Sequence, residues 1–430
     1  MSVDYNYGTE MLSWLIDLLP VNRSLTGNGN RLTLNYLKNQ IPELVITEIA
    51  SGSAAFDWTV PDEWNIKSAY IEDLNGKRIV DFARSNLHVV GYSLPIDKTV
   101  SRAELDEHLH SLPDQPTAIP YVTSYYSKSW GFCISEEERV LLKDERYRVF
   151  IDSTLQPGHM TIGEILIPGN TKDEILLSTY ICHPSMANNE LSGPVLAVAL
   201  AMWLKTLPNR KYTYRILFLP ETIGSIYYIS KHLKDLRNIK AGWVLTCMGD
   251  ERSYSYLPSR DGNTLADKVS LQVLKDLEID FKHYSWLDRG SDERQYCAPG
   301  IDLPVCSIMR TKYGEYLEYH TSLDNLDLVT SKGLGESFEV MAEAISMLEN
   351  NGTYQVNVLC EPQLGKRGLY PNLSTKNSGL EIQNQMNVIS FLDGYHDVLE
   401  ISAKCEMKFA SVISILEKLK EHSLINEITR

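Results

Sequence analysis

The 430-residue chain is poor in the features that would tie it to an exported, membrane or nucleic-acid role. Its seven cysteines, at positions 133, 182, 247, 297, 306, 360 and 405, form no C-x-x-C pair and no regular spacing. Several lie inside apolar runs, so they read as reduced core thiols rather than a disulfide framework. No run approaches the roughly 20 apolar residues of a membrane span. The start M-S-V-D-Y-N-Y lacks the basic and apolar regions of a secretory signal, and a cytoplasmic location is expected. Positive charge is in deficit as well, with 41 Lys and Arg against 56 Asp and Glu and a formal net charge of -15. That argues against nucleic acid as the main partner while leaving room for a small basic patch. What is present, 43% hydrophobic and 23% charged residues, suits a globular chain whose length calls for two or three domains.

The organising stretch runs from Ile175 to Leu200. It opens as an apolar run of strand length, stops at His183-Pro184, crosses a polar loop closed by Ser192-Gly193, and turns apolar at helical spacing. A strand, a loop and a helix in that order place the loop at the carboxyl edge of an α/β sheet, where ligands bind. Taken alone, a core strand with a polar turn explains it equally well. Later segments repeat the layout. Tyr214–Pro220 ends in Glu221, Gly242–Cys247 runs on to Asp250, and Leu303–Met309 leads into Arg310. E-Y-H-T-S-L-D-N then supplies His320 and Asp324. Groups able to hold a metal or move a proton thus recur just past strand ends.

On C-H-P-S-M-A-N-N-E-L-S-G, P-E-T-I-G-S and Y-H-T-S-L-D-N, the chain resembles the zinc exopeptidases of the bacterial leucyl aminopeptidase and glutaminyl cyclase type. It is closer still to a bacterial aminopeptidase-like family with that core, an inserted β domain and a C-terminal winged helix. The resemblance spans nearly the whole chain. It implies an α/β class: a zinc-exopeptidase-like mixed sheet with helices on both faces. The core would take residues 1–55 and 158–352, the β-rich insert 56–157 and a winged helix-turn-helix domain 355–430. It also implies a zinc-dependent hydrolase cleaving an amide bond in a peptide or amino-sugar conjugate. His183, Asp250 and His320 fall on metal-ligand positions and Glu221 on the general base. A carboxylate held by the N–H groups at a helix start is the bland account of Glu221. Two-zinc relatives carry acidic ligands where this chain has Ser185, Asn189 and Thr222, so one zinc per chain is expected, with the carboxylate coming from Asp250 or Glu190.

Asp292 and Glu293 are candidates for holding a substrate amine, and Arg294 or Arg310 for a carboxylate or sugar acid. Tyr313 opens Y-G-E-Y-L-E-Y, read as a mobile flap on the substrate side. Asp324 is expected behind the metal, orienting His320 or its loop, with Asn189 nearby. Arg23, Ser24 and Thr26 read as a helix cap in preference to a pocket lining. The aromatics between Trp58 and Phe132, Tyr126 among them, read mainly as packing, and His108-Leu109-His110 as a solvated helix face. Helices are expected near Glu381–Asp393, Val398–Cys405 and Phe409–His422, after a polar loop S-T-K-N-S-G. Glu406, Glu417 and Glu421 offset Lys404, Lys408, Lys418 and Lys420, which favours docking or a homodimer over DNA binding. The alternatives are a ligand- or metal-binding protein of this fold without hydrolysis, and a regulator acting through its winged helix.

Overall fold

The computed structural model describes residues 6–125, 127–369 and 376–428. Tyr126 and the start of the S-T-K-N-S-G loop lie outside them. The chain forms two compact units, residues 1–266 with 281–339 and residues 267–280 with 340–430.

The first unit is built on an eight-stranded mixed sheet. Its order is Val45–Ala50, His159–Ile167, Thr213–Leu219, Glu174–Tyr180, Ile239–Val244, Val305–Met309, Tyr254–Leu257 and Phe281–His283. Glu174–Tyr180 is central and runs parallel to Thr213–Leu219 on one side and to Ile239–Val244 on the other. All seven of its residues are buried, which is why it reads as one apolar run rather than an alternation. The helix Ser192–Thr206 that follows is buried through most of its length, as a helix apolar nearly all round must be. Gly193 sets how closely it approaches the sheet: a Cβ there would stand 2.2 Å from the Leu245 carbonyl oxygen and 2.4 Å from Thr179 Oγ1. The strands expected before His183, Glu221, Asp250 and Arg310 and the helix after Ser192-Gly193 are present, with ends displaced by a few residues.

Between the first two core strands, Arg78–Asp81, Glu63–Glu72, Arg146–Gln156 and Ile96–Ser101 form an antiparallel sheet. The near-alternating burial of Arg146–Gln156 presents Tyr147, Val149 and Ile151 to a local cluster with Ala69, Val80 and Phe132. Two local expectations are corrected here. His108 and His110 are not on a helix: the helix ends at Glu107, the His108 ring stacks on Trp130 at 3.9 Å, and Leu109–His110 pairs with Phe132–Cys133. Nor does Ser24 or Thr26 cap a helix. The residue before Asn28–Gln40 is Gly27, at φ 105°, which receives no side-chain cap, and Asn65 Oδ1 accepts the Asn28 N–H at 2.8 Å.

In the second unit, helices Lys376–Ser390, Val398–Cys405 and Phe409–Glu421 accompany a three-stranded antiparallel sheet of Asp393–Asp397, Thr353–Val356 and Ile425–Glu427, a winged-helix layout. Asp397 and Glu400 form a capping box on the second helix, and Asp276 Oδ2 accepts the Phe409 N–H at the start of the third. Lys408 pairs with Glu278 and Lys420 lies over Tyr354, so part of the basic set is already engaged. Among the described residues no helix is long and apolar enough to cross a membrane.

Candidate functional site

Sheet register brings His183 and Glu221 together. Tyr180 and Leu219 end neighbouring parallel strands in register, the Ile181 N–H donates to the Leu219 carbonyl at 2.9 Å, and both chains then leave the sheet on the same edge. His183 Nε2 comes to lie 3.8 Å from Glu221 Oε2. The backbone there is contorted. Ser185, Thr222, Cys247 and His320 all have φ between 52° and 67°, a region that costs non-glycine residues about 1–3 kcal/mol each and that concentrates at functional sites. Thr222, which is β-branched, is held there because its N–H donates to Asp292 Oδ1 at 2.7 Å and its hydroxyl accepts from Arg294 at 3.1 Å.

A π-helical turn, Ala187–Leu191, feeds the helix behind the sheet and sends successive side chains in different directions. Glu190 turns back toward His183: its Oε2 lies 3.2 Å from His183 Nδ1 and also accepts the His183 N–H. The Arg23 guanidinium pairs with Glu190, and both side chains are wholly buried. Arg23 also donates to the His183 carbonyl at 3.2 Å and the Leu18 carbonyl at 2.7 Å. This clamp holds the imidazole with Nε2 facing Glu221, the usual support of a metal-bound histidine. Glu190 is therefore placed behind His183 and not beside it as a ligand. Cys182, His183 and Glu190 do offer ligand atoms within 4.8 Å of one another. Those atoms are taken: Cys182 Sγ accepts the Glu221 N–H at 3.2 Å, and a cation at Glu190 would confront the buried guanidinium.

His320 completes the cluster. Its ring stacks on Tyr319 at 3.9 Å, its centroid lies 5.3 Å from that of His183, and its buried Nε2 has no partner. Burial, then the charge of His183, lowers its pKa to about 3, so it is a neutral imidazole able to bind a metal. His183 is held above the ordinary imidazole range: burial opposes protonation, but the Glu190 hydrogen bond and the Glu221 charge outweigh it. Asn189 Oδ1 is buried and unpartnered as well, while its Nδ2 donates to Tyr180 at 3.0 Å. Tyr121 of the insert forms a wall, its ring 5.2 Å from both imidazoles. Two imidazoles beside a carboxylate are donor types that a divalent cation takes.

Other candidates take different places. Asp250 is not in the cluster. Its carboxylate accepts from Asn188 Nδ2, Arg252 N–H, Thr311 N–H and Thr311 Oγ1 at 2.8–3.1 Å, which commits it to holding loops. Arg310 is likewise committed, to Glu336 at 2.8 Å and to the Tyr254 ring at 4.1 Å, and is not free for a substrate carboxylate. Asp324 accepts the N–H groups of Asn188 and Asn189 and the Tyr316 hydroxyl, so it orders the site loop and does not touch His320. The expected flap is anchored: Tyr313 and Tyr316 are buried, and Tyr313 donates to Glu293 at 2.7 Å.

Asp292 and Glu293 do stand beside Glu221, each buried with one carboxylate oxygen lacking a partner. Ser291, the residue before Asp292, donates to Glu221 Oε1 at 2.8 Å. Burial raises the pKa of Glu221 despite the opposing charge of His183. Burial and then Glu221 push Asp292 up from 3.8 to about 7. Because the folded state binds this proton more tightly than the unfolded state, stability is lost as pH rises through that window. Asp292→Asn keeps the acceptor for Thr222 and Ser225 and is expected to stabilise chelator-treated protein at pH 8 by up to about 4 kcal/mol, since each unit is worth 1.36 kcal/mol. The gain should vanish near pH 4. Melting curves across that range check this, and a gain independent of pH would refute it.

Residues 12–351 match the family described as the domain of unknown function DUF4910, and residues 352–427 match the winged helix-turn-helix family. A protein of Clostridium acetobutylicum, provisionally named as a polysaccharide biosynthesis protein with an aminopeptidase-like domain, is 43% identical over 407 residues, 94% of this chain and 93% of its own length. The crystal structure of a provisionally named peptidase from the same organism superimposes with a TM-score of 0.92 at 41% identity, covering 98% of this chain and 96% of the other. The zinc aminopeptidase BSAP of Bacillus subtilis shares the fold at 13% identity and a TM-score of 0.58, over 79% of this chain and 95% of its own. A peptidase M28 precursor of Shewanella amazonensis does so at the same identity and score, over 83% and 95%. The core thus has the aminopeptidase fold, and the chain belongs to the DUF4910 family, joined to a winged helix-turn-helix domain.

Proposed function

We propose that the chain is a zinc-dependent hydrolase of the aminopeptidase type that cuts an amide bond in a peptide or amino-sugar conjugate. The observation that carries this reading is the unpartnered Nε2 of His320, in a ring 5.3 Å from that of His183, with Glu221 Oε2 3.8 Å from His183 Nε2. One zinc would be held by His183 and His320, with Glu221 beside His183; bound there, it would polarise a carbonyl and lower the pKa of water.

Glu221 serves as general base. Ser291 holds its Oε1, leaving Oε2 to accept a proton from water and return it to the leaving amine. The unpartnered oxygens of Asp292 and Glu293 take the substrate ammonium. The wall formed by Tyr121 limits water near the imidazoles. An amino-sugar substrate accords with the polysaccharide name of the Clostridium acetobutylicum relative, and a cytoplasmic site of action with the mostly buried thiols. The winged helix serves docking or dimerisation.

The test is metal content by mass spectrometry on protein purified without added metal, for wild type, His183→Ala and His320→Ala. About one zinc per chain, lost in both variants, is expected. Metal that stays bound in both, or none after zinc is supplied, would overturn the centre and leave a ligand-binding protein of this fold.

A further inference from the structure

The loop carrying Arg23 has neighbours that the hydrolase reading does not use. Arg23 turns toward His183 and Glu190, whereas Asn22, Ser24 and Thr26 line a cavity of about 460 Å³ together with Asn28, Lys67, Phe82 and Asn86. That volume lies in the range of small-molecule sites.

The lining has a definite chemistry. The Asn22 side chain makes no hydrogen bond among the described residues. Asn86 Nδ2 donates to the Pro20 carbonyl at 2.9 Å and to Ser185 Oγ at 3.0 Å, and its Oδ1 is left without a partner there. Lys67 forms no ion pair among the described residues, and none of the residues lining the cavity is a carboxylate. A metal ion or an ammonium therefore finds no counter-charge, and a polyanion finds only one cation. Thr26 Oγ1 and Asn65 are already bonded within the protein, which leaves the Asn22 amide, the Asn86 carbonyl oxygen and the Ser24 hydroxyl, groups of the kind that donate and accept. Set beside Phe82, Ile66 and Leu32, they match a ligand that carries many hydroxyls on an apolar ring.

We propose that this cavity is a second binding site, distinct from the His183 cluster, for a neutral sugar of one or two rings. The site touches the cluster through the chain itself. Asn86 holds Ser185, two residues past His183, and Ser185 Oγ donates to the Leu19 carbonyl at 3.2 Å, at the start of the Arg23 loop.

The experiment is saturation-transfer NMR with isothermal titration on the full chain, using glucose, galactose, N-acetylglucosamine and inorganic phosphate. Saturable binding of at least one sugar is expected. Asn22→Leu should weaken it at least tenfold and Lys67→Ala less, both at unchanged melting temperature, with binding intact in His183→Ala. Should Asn22→Leu fail to fold, Lys67→Ala decides. Binding of no sugar, of phosphate alone, or of a sugar indifferent to both cavity variants would overturn the proposal. Sugar binding lost in His183→Ala would place the ligand in the hydrolase cleft and overturn it too. Because the cavity shares no residue with the His183 cluster, loss of the hydrolase reading would leave this one standing.

Discussion

Glu221→Gln is expected to retain zinc and lose about 10²–10⁴-fold in turnover, the range supplied by a positioned general base. The substitution is nearly isosteric. Gln keeps an oxygen to accept from Ser291 Oγ and can still fill the space near His183 Nε2, so folding and metal content should stay as in the wild type. What disappears is the ability to take a proton. Aminoacyl and amino-sugar amides assayed from pH 5 to 9, with zinc measured on the same samples, provide the check. The wild-type rate should rise with pH as Glu221 ionises from a pKa raised by burial, and the variant should lack that limb. Wild-type turnover in Glu221→Gln would remove it as base.

Arg23→Met should be the most destabilising single change at the site, at about 3–5 kcal/mol, because it leaves the Glu190 carboxylate buried without its counter-charge. The partners are wholly buried, so solvent cannot take over from the guanidinium. Arg23 also donates to the carbonyls of Leu18 and His183, and those acceptors would be orphaned as well. Adding Glu190→Gln should recover most of the loss, since the amide still accepts from the His183 N–H and no charge remains. Chemical denaturation of wild type, both singles and the double closes the cycle. Costs that simply add would mean Arg23 and Glu190 are not coupled.

The carboxyl-edge positions of His183 and Glu221 were legible because each follows an apolar run of strand length, and the residues past such a run must leave the sheet. The Ser192–Thr206 helix and the winged-helix segments were legible as well: burial on one face leaves a helical period, and burial all round leaves an apolar run too long for a strand. Partner choice left no such trace. Asp250, Glu190 and Glu221 are all carboxylates in the segments that follow a strand, yet the first holds loops, the second holds His183 against Arg23 and only the third faces the cluster. Arg23 lies 167 positions from Glu190, and nothing near either residue announces the other. Arg310 is as basic as a substrate clamp needs to be, but Glu336 and the Tyr254 ring take it up. Which residues stand past a strand end, and that they are polar, was determined by the sequence. Which of them remain free for chemistry was decided by the tertiary structure, because a buried charge settles on whichever partner the fold brings within hydrogen-bond reach.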